Sequence, residues 1–396
     1  MIAISKLANS VKPSATMAAG AKAKQMKDSG IKVYDFSLGE PDFPTPAHIC
    51  KAADEAVKAG HTHYTPAPGI MELRKAVCAW YKKVHGLECE PAEVLISAGA
   101  KHSIHNALAA TLNPGDEVII PAPYWVSYSD LVSMTGAKPV LVETTAESKF
   151  KMTPAQFRGA VTQNSKLLML NSPCNPTGTV YTKQELEALV DIAIEKNLII
   201  LSDEIYEQLT YGDAKPTCVA TLRPGLKQRT ITISGASKSY AMTGWRMGWT
   251  IAPAPVIAAM NNIQGQETGC PSSVSQYALL AALNGPQECV AEMREHFARR
   301  KDLTCGLLRK IPHITFPEPE GAFYVFFNVS AYFGRTIDGV KVTDSLGFCT
   351  AALEKAKVNF VPGSAFGQEG FIRMSFATSD EVIKEGLDAF AKWLAT

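Results

Sequence analysis

Short apolar runs alternate with helix-like stretches through the middle of the chain. The runs are rich in aliphatic and β-branched residues, which favour strands, and they lie at 94–97, 117–120, 167–170, 198–201, 230–233 and 248–251. Strands that are apolar throughout and separated by helices are typical of a sheet covered on both faces. The pattern therefore predicts an α/β fold with a mostly parallel central sheet.

The clearest helix signal follows Thr182. Thr182 and Glu185 have the spacing of a capping box, in which two side chains satisfy free N–H groups at the start of a helix. Apolar residues then recur on one helical face at positions 186, 189, 190, 193 and 194. We expect a helix that packs this face against the sheet.

The two ends of the chain differ from the middle. Helical patterns cover 17–29, 287–310 and 345–355 and begin again at 380, while strand-like runs lie at 322–327 and 371–376. We therefore expect two domains. The predicted large domain spans 44–285, and the smaller α/β domain combines 1–43 with 286–396.

Composition adds limits on location and partners. The 396 residues are 46% apolar and 19% charged, with a net charge of +1, as in a soluble globular protein. This charge does not indicate nucleic acid or a membrane surface as a partner, and no apolar run is long enough to span a bilayer. The nine cysteines stand singly, without the paired spacing of a zinc site. We expect a cytoplasmic protein with free cysteines, no bound metal and no signal peptide.

The strongest chemical signal surrounds Lys238, in the run Ser-Gly-Ala-Ser-Lys-Ser-Tyr-Ala-Met-Thr-Gly-Trp-Arg-Met-Gly that begins at Ser234. It follows a predicted strand, and ligands of open α/β sheets bind beyond the carboxyl ends of strands. A desolvated lysine there can form a Schiff base, Ser237 can donate a hydroxyl, and Arg246 can bind phosphate. An isolated Ser-Lys pair is more often a solvated loop, but the complete run after a strand favours a site.

Polar residues follow two other predicted strands. Asp203 comes just after the run at 198–201, where a carboxylate can keep a pyridine nitrogen protonated; the alternative is a helix N-cap. Asn175 follows the run at 167–170 within Asn-Pro-Thr-Gly, and the alternative there is a plain turn. Both positions agree with a ligand site at the edge of the sheet that also carries Lys238.

Two further strand ends give weaker signals. Gly99 and Ala100 precede a helix-like stretch, where small residues let backbone N–H groups approach a phosphate, although any tight turn uses glycine in the same way. Trp125 follows the run at 117–120 and can cover one face of a planar ring, although tryptophan is more often part of the core. Neither signal is sufficient alone to predict a ligand site.

From about residue 10 to the C-terminus, the chain resembles the class I aminotransferases. The Lys238 segment is similar to the signature of that class, and the other loops occur in the family's order. The likeness is greatest to the bacterial aspartate aminotransferases of subgroup Ib, some of which also use prephenate. The resemblance implies the fold type I architecture, pyridoxal 5′-phosphate (PLP) as cofactor, and a homodimer whose active sites are shared between subunits.

The resemblance also assigns cofactor contacts. Lys238 would hold PLP as a Schiff base and move the proton between the substrate Cα and the cofactor, and Asp203 would pair with the pyridinium nitrogen. Tyr206 and Asn175 would bind the phenolic oxygen, and Trp125 would stack on the ring. The residues expected around the phosphate are Gly99, Ala100, Ser237, Arg246 and, from the neighbouring subunit, Tyr64. Lys101 is expected to contact the cofactor as well.

On the substrate side, the resemblance assigns the α-carboxylate to Arg373, as a bidentate pair, and to the backbone N–H of Gly39. Trp125 and Asn175 are expected to contact the substrate as well as the cofactor. This end of the substrate is common to all amino acids, so it does not select among them.

The distal carboxylate depends on other residues. Lys101 corresponds to a lysine implicated in binding it, while Lys12 and Thr16 correspond to an N-terminal segment that closes over the substrate. A lysine at position 12 is associated with the use of prephenate in the subgroup. The alternative for Lys12 and Lys101 is an ordinary exposed lysine.

The predicted reaction is ping-pong transamination between aspartate or glutamate and a 2-oxo acid, with prephenate as a further acceptor. The nearest alternatives are an aminotransferase for aromatic or neutral amino acids and a PLP β-lyase, because these enzymes share the cofactor loops. A nucleotide-dependent dehydrogenase would need G-x-G-x-x-G after a first strand, and a hydrolase would need G-x-S-x-G; the chain has neither.

Overall fold

A seven-stranded sheet lies at the centre of the protein. The computed structural model describes residues 2–11, 13 and 15–396, and of residues 15–17 it describes the backbone alone. The spatial order of the strands is Val94–Ser97, Gly248–Ile251, Thr230–Gly235, Ile199–Asp203, Ser165–Asn171, Glu117–Ala122 and Lys138–Glu143. Gly248–Ile251 is antiparallel to both neighbours, and the other pairs are parallel. The predicted mostly parallel sheet is confirmed.

Helices precede, connect and follow these strands, and they cover both faces of the sheet. They are Ala47–Lys58, Met71–His85, Ala100–Thr111, Ser127–Met134, Pro154–Ala160, Lys183–Glu195, Ala236–Ser239, Ala254–Glu267 and Ser273–Asn284. Leu167 shares a core with the helices Ala100–Thr111 and Ala254–Glu267, whereas its neighbour Leu168 shares another core with Lys183–Glu195. Because successive side chains of a strand point to opposite faces, burial on both faces requires the continuous apolar runs seen in the sequence.

The predicted capping box begins the helix Lys183–Glu195. Thr182 Oγ1 accepts a hydrogen bond from the N–H of Glu185 at 3.2 Å, and the Glu185 carboxylate accepts one from the N–H of Thr182 at 2.7 Å. These bonds satisfy N–H groups that have no partner within the helix. The side chains of Thr182 and Glu185 therefore fix the start of the helix, in addition to the apolar periodicity.

A smaller antiparallel sheet lies in the C-terminal part of the chain. Its order is Val361–Pro362, Phe371–Ser375 and Tyr324–Asn328. The two ends also contain the α-helices Lys6–Ser10, Ala15–Asp28, Glu288–Leu308, Ser345–Ala351 and Asp380–Leu394 and the short strands Tyr34–Asp35, Thr336–Ile337, Val340–Lys341 and Val358–Asn359. Tyr34–Asp35 pairs with Val358–Asn359, so the N-terminal part joins the C-terminal part. The exact domain boundaries stay a prediction.

Two elements differ from the expectations. The apolar pattern does not identify the strand Lys138–Glu143, because it pairs on one side only and mixes exposed polar residues and a proline with its apolar ones. The helix predicted at 345–355 is α-helical only to Ala351, and it continues as a wider π-helical turn over Ala352–Ala356.

Within the ranges that the structure describes, no helix is both long and apolar enough to cross a membrane. The same ranges contain no group of three His, Cys, Asp or Glu side chains placed to hold a metal ion.

Three titratable side chains, Glu204, Glu207 and His85, are buried near one another. Glu204 Oε1 accepts hydrogen bonds from Ser202 Oγ at 2.9 Å and from the N–H of Val219 at 3.0 Å, whereas Oε2 has no partner among the described residues. Glu207 lies 2.6 Å from His85 Nε2. Burial, together with the charge of Glu207, raises the pKa of Glu204 to about 7.

Replacing Glu204 with glutamine should therefore remove part of the pH dependence of stability. A glutamate of the unfolded chain ionises near pH 4.5, whereas Glu204 in the fold keeps its proton to about pH 7, so a rising pH favours the unfolded state between these values. We expect wild-type stability to fall relative to E204Q from about pH 4.5 to about pH 7, by at most about 1.4 kcal/mol per pH unit, and then to level off. Urea unfolding at several pH values measures the difference.

E72Q, at an exposed helical position, provides the control. It should leave the pH dependence of the wild type unchanged. A wild-type-minus-E204Q difference that is constant with pH would mean that Glu204 is already ionised in the acidic part of this range.

Candidate active site

A cavity of about 280 Å³ opens where the large sheet meets the small one. The strands Ile199–Asp203 and Thr230–Gly235 reach it with their carboxyl ends, and the small sheet closes the other side. Its walls are formed by Gly39, Ala100, Lys101, Trp125, Val126, Ser127, Tyr128, Asn171, Asn175, Asp203, Ile205, Tyr206, Ser237, Lys238, Thr243, Arg246, Tyr324 and Arg373. This location agrees with the rule that open α/β sheets bind ligands at the carboxyl ends of their strands.

Lys238 lies on a one-turn helix, Ala236–Ser239, directly after the strand Thr230–Gly235. Its Nζ donates a hydrogen bond to the carbonyl oxygen of Gly39 at 2.5 Å. Burial lowers the pKa of Lys238 to about 8, against the opposing effect of the Glu40 carboxylate. A useful fraction of the amine is therefore neutral near pH 7, and only the neutral amine can act as a nucleophile or a base.

Asp203 is 3% exposed at the end of its strand. Tyr128 donates a hydrogen bond to its Oδ2 at 2.6 Å, and the N–H of Ile205 donates to Oδ1 at 3.2 Å. Burial raises the pKa of Asp203 to about 6, although these hydrogen bonds oppose the rise. A protonated ring nitrogen beside this carboxylate would keep it ionised, because opposite charges offset the desolvation.

The amino end of the helix Ala100–Thr111 and the side chain of Arg246 meet at one edge of the cavity. Between them, Gly99 has a φ of +89°, and a Cβ atom at this position would lie 2.5 Å from Arg246 Nη2. Only glycine fits this approach. Helical N–H groups, the guanidinium and the nearby hydroxyl of Ser237 together suit a phosphate dianion.

Arg373 lies at another part of the wall and is 2% exposed. Its Nη1 donates a hydrogen bond to Asn175 Oδ1 at 2.9 Å, and its Nη2 donates to the carbonyl oxygen of Ser37 at 2.8 Å. Its Nε has no partner among the described residues. Burial lowers the pKa of Arg373, but a guanidinium remains charged at neutral pH. A buried cation with an unused donor favours a carboxylate as ligand.

Lys101 places a further cation in the cavity wall. Its Nζ lies 5.0 Å from the centre of the Trp125 ring, within the range of a cation–π contact. Burial and the charge of Arg246 lower the pKa of Lys101, and Asp130 opposes this effect. Lys101 is nevertheless an exposed residue, so its contact with a substrate carboxylate stays a prediction.

The structure brings most of the predicted site residues to this one cavity, namely Gly39, Ala100, Lys101, Trp125, Asn175, Asp203, Tyr206, Ser237, Lys238, Arg246 and Arg373. Gly99 stands directly beside Arg246. Tyr64 does not line the cavity and is 98% exposed, so its contact with a second subunit stays a prediction. Lys12 lies outside the described residues. Thr16 belongs to the helix Ala15–Asp28, and its side chain is outside the description.

Sequence reasoning misses five polar residues of the wall, namely Ser127, Tyr128, Asn171, Thr243 and Tyr324. Asn171 is the first polar residue after an apolar run, and this signal could have identified it. Tyr128 and Tyr324 carry no such signal, because aromatic residues in a helix or strand are most often part of the core.

Residues 31–390 match the family described as Aminotransferase class I and II. The chain is 47% identical over 377 residues to the aspartate/prephenate aminotransferase of Cereibacter sphaeroides, covering 95% of this chain and 94% of the relative. It is 43% identical over 391 residues to the aspartate aminotransferase of Geobacillus stearothermophilus, covering 99% and 98%. The crystal structure of the aspartate aminotransferase from Rhizobium meliloti superimposes with a TM-score of 0.96 at 40% identity, covering 100% of this chain and 99% of that one.

The cavity fits PLP, the cofactor of this family, on chemical grounds. The buried carboxylate of Asp203 suits a ring nitrogen, the partly neutral amine of Lys238 suits an aldehyde, and the space that Gly99 leaves beside Arg246 suits a phosphate.

Replacing Gly99 with alanine should weaken PLP binding. The added Cβ would displace the Arg246 guanidinium, and a lost hydrogen bond between charged groups costs about 1.5–3 kcal/mol, so we expect the Kd for PLP to rise on the order of 10- to 100-fold. Absorbance titration of the cofactor-free protein with PLP measures this Kd.

G115A is the matched control, because Gly115 has a φ of +93° and no atom within 4 Å of an added Cβ. It imposes the same kind of backbone strain without touching an arginine, and it should leave the Kd for PLP unchanged. Equal losses of affinity in the two variants would assign the effect to strain and not to Arg246.

Proposed function

This chain belongs to the class I and II aminotransferases, and we propose that it transfers the amino group of aspartate or glutamate to a 2-oxo acid. The observation that carries the proposal is the presence of two cations, Arg373 and Lys101, in the wall of the cavity that contains Lys238. A dicarboxylic amino acid can present one carboxylate to each cation. The aspartate-type names of the relatives at 43–47% identity support the same substrate class.

When bound, PLP supplies a ring that stabilises negative charge at the substrate Cα. The residues of this chain position the reactants and move the proton. Arg373 and the N–H of Gly39 hold the α-carboxylate. Lys238 takes the proton from Cα and passes it to the cofactor. Asp203 keeps the ring nitrogen protonated. The protein thus orients the reactants, stabilises their charges and moves one proton.

Three more residues tune the cofactor in this proposal. Tyr206 and Asn175 donate hydrogen bonds to the phenolic oxygen, and Trp125 covers one face of the ring. The hydrogen bond of Arg373 to Asn175 Oδ1 leaves the amide nitrogen of Asn175 free to donate. Asn175 can therefore contact the substrate-binding arginine and the cofactor at the same time.

We further propose that the enzyme is a homodimer in which Tyr64 contacts the phosphate bound by the partner. Tyr64 is almost fully exposed in the single chain, as a residue that reaches another subunit would be. Large apolar side chains near the N-terminus, Ile2 and Ile4, are exposed as well, and burial against a second copy would remove them from water.

We also propose prephenate as an acceptor of the amino group. The relative at 47% identity is named an aspartate/prephenate aminotransferase, and Lys12 is the residue that we associate with this acceptor. We expect the enzyme to aminate prephenate with glutamate or aspartate as donor, and the K12A variant to lose prephenate turnover selectively. Steady-state rates with prephenate and with 2-oxoglutarate as acceptors measure this selectivity.

Equal losses with both acceptors would assign Lys12 to general catalysis, and no loss with either would make it a surface lysine. Turnover of neutral amino acids without turnover of aspartate would instead favour an aminotransferase of broader specificity.

Replacing Lys101 with methionine should separate dicarboxylic from monocarboxylic substrates. Methionine keeps an unbranched apolar side chain at this position but removes the charge, and a hydrogen bond to a charged group contributes about 1.5–3 kcal/mol. We expect kcat/KM for aspartate to fall on the order of 10- to 100-fold, mainly through KM, and kcat/KM for alanine to change little. K83M, at an exposed helical position, should affect neither substrate. Parallel losses for aspartate and alanine would contradict the role of Lys101.

A further inference from the structure

Tyr324 occupies the space between two predicted functional groups of the cavity. It begins the strand Tyr324–Asn328, is 1% exposed, and lines the cavity together with Tyr206 and Arg373. The aminotransferase reaction as described above assigns it no part. Its contacts nevertheless reach both the residue expected at the cofactor oxygen and the residue expected at the substrate carboxylate.

The first contact joins two phenols. The hydroxyl of Tyr324 lies 2.9 Å from the hydroxyl of Tyr206, and either oxygen can be the donor. Both side chains are buried, so water does not compete for this hydrogen bond. Gly39 keeps the space open, because a Cβ on that residue would lie 2.9 Å from the Tyr324 hydroxyl.

The second contact is made by the ring. The guanidinium carbon of Arg373 lies 4.4 Å from the centre of the Tyr324 ring and 5.0 Å from that of Phe366. The two terminal nitrogens of the guanidinium are already hydrogen-bonded, while Nε has no partner among the described residues. The aromatic rings therefore help to fix the plane of the guanidinium, and the hydrogen bonds fix its rotation within that plane.

The direction of the hydrogen bond follows from proton counting. A tyrosine hydroxyl has one proton to donate. If Tyr206 donates its proton to the phenolic oxygen of the cofactor, it can only accept from Tyr324, so Tyr324 must be the donor. Hydrogen bonds in such a chain strengthen one another. Tyr206 is then a better donor than it would be alone.

We propose that Tyr324 is a positioning residue that links the two ends of the active site: its hydroxyl orients and strengthens Tyr206 as a donor, and its ring holds Arg373 in the plane that receives a carboxylate. This inference rests on the proposed roles of Tyr206 and Arg373. It divides the side chain into two separable parts, because phenylalanine removes the hydroxyl alone and leucine removes the ring as well.

The hydroxyl is tested by the pH at which the visible absorption band of bound PLP titrates. A donor to the phenolic oxygen stabilises the deprotonated chromophore, so a weaker donor raises this pH. Y324F should raise it by a few tenths of a pH unit, and Y206F should raise it more. In the Y206F background, Y324F should add nothing. An equal shift from Y324F with or without Tyr206, or no shift at all, would overturn this half of the proposal.

The ring is tested by the Kd of succinate, a dicarboxylate without an amino or keto group. Y324F keeps the ring and should change this Kd less than about twofold, whereas Y324L should raise it about tenfold, the loss expected for a desolvated cation–π contact. A Kd that Y324L leaves within about twofold of the wild type would overturn this half.

Y332F is the matched control for both measurements. Tyr332 is buried in the same core as Tyr324, and its hydroxyl donates to the carbonyl oxygen of Pro312 at 2.5 Å, but it does not line the cavity. It should change neither value, and a shift equal to that of Y324F would overturn the proposal as a packing effect. Two different results would contradict the proposed function itself. Y206F would leave the titration of the band unchanged, or the wild type would not transaminate aspartate.

Discussion

Burial of charge at the junction of the two sheets is the constraint on which the rest of this site depends. Asp203 and Arg373 are almost inaccessible to solvent and Lys238 is partly buried, and burial shifts the pKa of each toward its neutral form. A buried charge without a partner is costly. The chain meets part of this cost with hydrogen bonds from Tyr128 and to Asn175. The remaining part is offset only when a ligand with complementary charges enters.

One short segment of backbone links these charges across the junction. Its carbonyl oxygens at Ser37 and Gly39 accept hydrogen bonds from Arg373 and Lys238. A few residues later, Asp42 forms a bidentate ion pair with Arg300, at 2.7 and 2.9 Å. The segment thus contacts the lysine of the large sheet, the arginine of the small sheet and the long helix Glu288–Leu308. Movement of any of these elements relative to the others would break one of these bonds.

The sequence predicted the parts of this structure that follow from local patterns. Apolar runs predicted six of the seven central strands. The polar position after one run identified Asp203 as a candidate site residue, because a buried parallel strand is apolar up to the edge of the sheet where ligands bind. The edge strand Lys138–Glu143 was not predicted, since its partly exposed residues interrupt the apolar run. The roles of Lys101 and Arg373 came from family resemblance, and no periodicity in the residues would have supplied them.

Contacts between distant parts of the chain set the limit of such reasoning. Tyr128 and Tyr324 look like core residues in the sequence, because each is an aromatic residue of a helix or strand, and each is in fact buried. Only the fold shows that the hydroxyl of one meets Asp203 and that the hydroxyl of the other meets Tyr206. A phenol is well suited to such positions, since its ring satisfies the apolar pattern while its hydroxyl adds a hydrogen bond. Tyrosines that line the cavity are therefore hidden by the same pattern that predicts the fold correctly.

Two buried polar atoms, Arg373 Nε and Glu204 Oε2, have no partner among the described residues, and their surroundings differ. Arg373 Nε belongs to a residue of the cavity wall that a carboxylate can reach, whereas Glu204 Oε2 belongs to a residue outside that wall. Where a ligand has access, an unsatisfied buried group favours binding; where it does not, the group changes its protonation state instead.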